Sequence, residues 1–168
     1  MRILDGLYRL CSTLAALCLV SICGLILAQI AGRFLPFRVL SANELSGFLV
    51  LASTFLALGP ALRFGTHIRV TLVVERFPEP IRRLTEAAAL LLAIALAGYA
   101  TWWCFDLMMD SINYDDISPG RLAIPLAVPQ AGMVLGLGVF VLALCHCLVE
   151  LVRGDKPAYA QGRGMMED

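Results

Sequence analysis

The sequence predicts an all-α membrane protein: four transmembrane helices, with a cytoplasmic-side amphipathic interfacial helix between helices 2 and 3. Three observations lead there. Of 168 residues, 60% are hydrophobic and 15% charged, where a soluble domain carries roughly 25% charged residues. The apolar residues come in four blocks instead of alternating with polar ones, and each block reaches the ~20 helical residues that a bilayer demands. A strongly basic stretch, with Arg63, His67, Arg69, Arg76, Arg82 and Arg83, separates the second block from the third.

The first block covers about residues 10–32, between Arg9 and Arg33. Its apolar core exceeds the 7–15 residues of a signal-peptide core, and Ala28-Gln29-Ile30-Ala31 is not an A-x-A site. It reads as a retained helix. The second, 44–62, has no charge after Glu44. Ser41-x-x-Glu44 reads as a capping box, with serine and glutamate each satisfying a backbone N–H of the first turn. The third covers 87–105 and ends in Trp102 and Trp103, where an aromatic belt would meet the outer interface. The fourth covers 126–152. Its early Pro125 and Pro129 are tolerated there, and Gly132-x-x-x-Gly136 permits close helix packing. Strands are excluded, since an isolated strand in lipid leaves its backbone unsatisfied.

Orientation follows from the basic residues. Ten of the 13 Lys and Arg lie at the amino terminus, in the central basic segment and in the tail. Arg33, Arg38 and Arg121 lie on the other side. The positive-inside rule puts both termini and the basic segment in the cytoplasm. Within interfacial segment 63–80, Val70, Val73, Val74 and Phe77 fall at i, i+3, i+4, i+7. A strand pattern at Ile68, Val70, Leu72 and Val74 competes. A lone strand has unpaired edges, so a helix with its arginines toward lipid headgroups is favoured. The tail, 153–168, is short and polar, and the whole chain forms one integral membrane domain. The outer loop Asp106–Asp116 carries four aspartates, as a solvated loop or as a docking surface for a soluble partner.

The functional equipment is sparse. The span centres hold no charge, whereas an ion or proton path places ionisable groups there. No metal-ligand spacing is present. The six cysteines form no C-x-x-C pair and read as small packing residues. A net charge of zero and so few ionisable groups argue against nucleic acid as a partner. His67 and His146 raise an alternative, a haem-binding anchor subunit of a redox enzyme. A free-standing exporter would want a membrane-embedded acid, and none is supplied.

The chain resembles a known family at Gln29-x-x-x-Arg33-Phe34, at Ser41–Glu44, and at Gly59-x-x-x-Arg63-x-Gly65-x-His67-Ile68-Arg69-Val70. Leu122-x-Ile124-Pro125-x-x-x-Pro129-x-x-Gly132 completes the series. These motifs look like those of the small transmembrane subunit (DctQ-like small permease) of tripartite ATP-independent periplasmic (TRAP) transporters, over about residues 9–150. Asn43 and Thr71 stand where the family often has acids. The resemblance implies an accessory, scaffold-like, non-enzymatic subunit of a sodium-coupled transporter in the bacterial inner membrane. A large permease would hold the solute and sodium sites. A periplasmic substrate-binding protein would deliver an organic acid or similar carboxylate solute. No cofactor is implied. Arg33 and Glu44 at the outer surface, and Arg63, His67 and Arg69 at the inner one, are the expected contacts with subunits or membrane lipids.

Overall fold

In the computed structural model, residues 2–34, 41–64 and 78–153 are described. They form four helices: α1 (Arg2–Ala31), α2 (Ala42–Arg63), α3 (Glu79–Asn113) and α4 (Ala127–Arg153). All four are long and apolar enough to cross a membrane. Among the described residues there is no strand, and this is an all-α membrane protein. Most of the expected interfacial helix, residues 65–77, lies outside the described residues, as does the tail from 154.

The helices begin and end where backbone chemistry permits. Pro78 precedes α3 in an extended conformation, and Pro80 occupies its first turn, where a missing N–H costs nothing. Ser41 departs from the capping-box expectation. Its backbone is left-handed (φ 65°) and its side chain makes no cap bond. Only its carbonyl serves the helix, accepting from the Leu45 N–H at 3.1 Å. Glu44 does not reach back either, because its carboxylate is engaged elsewhere.

The expected outer loop from Asp106 is also corrected. α3 continues through Asp106 and Asp110 to Asn113. Its buried stripe explains why. Leu90, Ala97 and Ser111 are buried, and with Thr101, Cys104 and Met108 they repeat at helical spacing along the face toward α4. The true connection is a short hairpin over residues 114–126. Ser118 N–H donates to Ile124 O at 2.8 Å and Leu126 N–H to Asp116 O at 2.9 Å. Asp115 and Ala123 adopt positive φ where the chain reverses.

The principal pairings are α1 with α2, α2 with α4, and α4 with α3. The order in space is therefore α1–α2–α4–α3, and the two central helices run parallel. Glycine makes their approach possible. A Cβ on Gly132 would lie 3.5 Å from the Ala52 Cβ. One on Gly136 would lie 2.5 Å from the Phe55 carbonyl oxygen and 2.8 Å from the Leu56 nitrogen. One on Gly59 would lie 2.9 Å from Val139 Cγ1. Lipid tails are as apolar as leucine, so such close contact, through dispersion, holds helices together where burial alone does not. Around this seam, Tyr8, Cys11, Leu62, Leu90, Ala97, Val139, Ala143, Leu144 and Cys147 form the core. All six cysteines are free thiols, Cys11 and Cys147 buried.

Candidate functional site

Two polar clusters bracket the bundle, one at each end. Arg63 lies nineteen positions after Glu44 on α2, about 28 Å at 1.5 Å per residue. That is one hydrocarbon thickness.

The first cluster centres on Arg63, in the last turn of α2. One guanidinium nitrogen, Nη2, donates to Asp5 Oδ1 on α1 at 3.0 Å. The other, Nη1, donates to Glu150 Oε1 on α4 at 3.2 Å and faces His146 Nδ1 at 3.2 Å. The guanidinium carbon lies 5.5 Å from the centre of the Tyr8 ring, within range of a cation–π attraction. Arginine has no acceptor, so His146 Nδ1 must accept. The imidazole proton then sits on Nε2, 3.5 Å from Glu150 Oε1 one turn along α4. Arg63, His146 and Glu150 are largely buried, whereas the Asp5 side chain is half exposed. Tyr8 is buried, and its hydroxyl has no hydrogen-bond partner among the described residues. A planar fork with five donors suits this place better than an ammonium point charge, because it serves carboxylates on two different helices. The cluster locks three helices together.

The second cluster centres on Glu44, in the first turn of α2. Its Oε1 accepts a short hydrogen bond from the Ser118 hydroxyl, and its Oε2 lies 3.5 Å from the Leu122 N–H. The Ser118 oxygen in turn accepts from the Gly120 N–H at 3.3 Å. Any Cβ on Gly120 would overlap the Glu44 carboxylate. The hairpin thus closes around one carboxylate like a turn around an anion. Hydrogen bonds to an ionised group contribute about 1.5–3 kcal/mol. Glu44→Ala and Gly120→Ala are each expected to cost about 2 kcal/mol by the same means, loss of the carboxylate from the hairpin. The double variant should therefore cost little more than either single one. Thermal unfolding in detergent reads all three, and strict additivity would show that the two positions act separately.

Of the residues expected at the site, Arg63 and Glu44 are joined to partners that lie far away in sequence. Arg33 is exposed in the turn after α1 and has no ion-pair partner among the described residues. His67 and Arg69 lie outside the described residues. Asp5, Tyr8, Glu150, Ser118 and Gly120 join the clusters without having been expected there. One signal points to them in the sequence, the His146/Glu150 spacing of four on a helix. Nothing local points from Asp5 to Arg63. For the haem alternative, His146 has both ring nitrogens facing protein groups, and axial ligation would have to displace one of them.

A family model described as tripartite ATP-independent periplasmic transporters, DctQ component, matches residues 22–155. The chain belongs to this family. As a DctQ-family protein it is a small-subunit transporter component and not an enzyme, and with its four apolar helices it is a multi-pass membrane protein. It is similar to the isethionate TRAP transporter permease protein DctMQ of Oleidesulfovibrio alaskensis, at 24% identity over 111 residues. That stretch is 66% of this DctQ-family chain and 17% of the relative. The chain thus matches less than a fifth of the relative's length.

Proposed function

We propose that this chain is the accessory, scaffold-like small permease of a sodium-coupled TRAP transporter in the bacterial inner membrane. It pairs with a large permease subunit and a periplasmic substrate-binding protein in the uptake of an organic acid or similar carboxylate solute. The observation that carries this reading is where the polar groups lie. Among the described residues, the most deeply buried polar residues are Ser53, Ser111 and Ser118, none of them charged, and the largely buried Arg63, His146 and Glu150 lie together at one end. The ionised groups inside the bundle sit at its two ends and tie helices to one another. A chain that moved a solute or coupled it to an ion would need such groups part-way across and inside the bundle, whereas Asp106 and Asp110 of α3 lie on its exposed outer face. This one is equipped to be rigid, and the moving parts belong to another chain.

The relative's name and its greater length support pairing with a larger permease. The excess of basic residues at the Arg63 end supports cytoplasmic termini, with the Glu44 end and its hairpin facing the periplasm. His67 and Arg69 belong to this reading as contacts at the inner surface, with headgroups or the large subunit. Arg33 belongs to it as a contact at the outer one.

Affinity purification of the chain from its native membrane in mild detergent is expected to bring down a multi-span permease at equal stoichiometry. Deleting the chain is expected to abolish uptake and to leave the binding protein's affinity for its solute unchanged. Full uptake by the large permease alone would overturn the proposal.

A further inference from the structure

The four helices do not present equivalent outer faces. On α1 the outward residues include Leu10, Leu14, Leu17 and Val20, all exposed. The hydroxyls on this side are satisfied by their own helix: Thr13 donates to Arg9 O and Ser21 to Leu17 O, at 2.9 and 2.8 Å. Such a face asks nothing of its surroundings but hydrocarbon.

The outward face of α3 is different. Its buried stripe turns toward α4, and the opposite side carries Ala95, Tyr99, Trp102, Trp103, Asp106 and Asp110, all exposed. At 100° per residue these six fall within about 100° of arc. Tyr99 and Trp103 meet edge to face, with ring centres 6.1 Å apart. Among the described residues, neither aspartate side chain has a hydrogen-bond or ion-pair partner. Their depth is what matters. Cys104 meets Met133 on α4 and Gly132 of α4 faces Ala52 on α2, so counting along α2 and α3 puts Asn113 near the level of Glu44, at the end of the bundle. Asp110 and Asp106 then lie about 4.5 and 10 Å back toward the membrane centre at 1.5 Å per residue. A carboxylate pair one turn apart at that depth is costly against lipid and calls for a donor partner. Rigid aromatic rings are also enriched at the centres of protein contacts.

We infer that this face of α3 is the surface that packs against the large permease, and that the permease supplies cationic side chains to Asp106 and Asp110. The inference rests on the pairing proposed above and names the helix that makes it. The α1 face is left to lipid.

The test is site-specific photo-crosslinking in membranes that contain the whole transporter. A photoreactive amino acid replacing Trp102 is expected to capture the large permease. The same probe replacing Leu17 is expected not to. Separately, Asp106→Lys with Asp110→Lys is expected to lower the co-purified permease at least tenfold at an unchanged level of the small chain. Capture of the permease from Leu17 and not from Trp102 would overturn the assignment. So would capture of a second copy of this chain, or wild-type yield of complex from the double lysine variant. Absence of any permease in the wild-type purification would instead remove the pairing itself, and this surface with it.

Discussion

Replacing Arg63 with alanine is expected to destabilise the bundle by about 3 kcal/mol, read as thermal or denaturant unfolding in detergent. The magnitude follows from what is left behind. Asp5 and Glu150 are on different helices and share one guanidinium. Removing it takes the guanidinium from the largely buried Glu150 and the cation from the Tyr8 ring. Breaking a buried ion pair costs about 3–5 kcal/mol, and the lower end applies because Asp5 is half exposed and screened. Arg63→Lys separates charge from geometry. One ammonium keeps the charge but cannot present two nitrogens to two helices, so it should recover less than half of the loss. If lysine restored full stability, the network would be a matter of charge alone and the three-helix lock would be disproved.

Gly136→Leu is expected to be nearly as damaging, at about 3 kcal/mol, the upper end for overpacking a tight contact. The atoms in its way belong to the backbone of Phe55 and Leu56. No rotamer change moves them, so α2 and α4 must separate. Gly138 is the internal control. It lies on the same helix two residues on, and a Cβ there would meet nothing within 4 Å. Gly138→Ala should be neutral, or more stable by up to about 1 kcal/mol through helix propensity. Equal melting curves for Gly136→Leu and Gly138→Ala would mean that the α2–α4 seam is not close-packed.

The four helices are legible in the amino-acid sequence, because the bilayer imposes a length and an apolar content that soluble folds do not share. The Gly132/Gly136 pair is visible as a spacing, but not the helix that it faces. The end of α3 is hard to place because Trp102, Trp103 and Asp106 look like an interface followed by a loop. The buried Ser111, which carries the inward stripe one turn further, is a weak signal in sequence. Ser41 and Glu44 match a capping box in type and spacing. That match overlooks Ser118 and Leu122, which offer the glutamate donors 74 and 78 residues away. Arg63 stands out in the sequence for topology, while its structural role depends on Asp5 and Glu150, which only the folded chain brings near. In each case the local rule is sound, and a long-range partner outcompetes it.

The parallel contact between α2 and α4 has a consequence for how the protein is made. The helix that contacts both α2 and α3 follows both of them in the chain. When α3 has just emerged, only α1 and α2 have each other. Gly59 then has no Val139 to face, and Arg63 holds Asp5 but not Glu150. α2 must wait in the membrane, with its seam uncovered, while α3 and the hairpin are made. The arrival of α4, not the insertion of any earlier helix, is therefore the event that joins these membrane segments into one body.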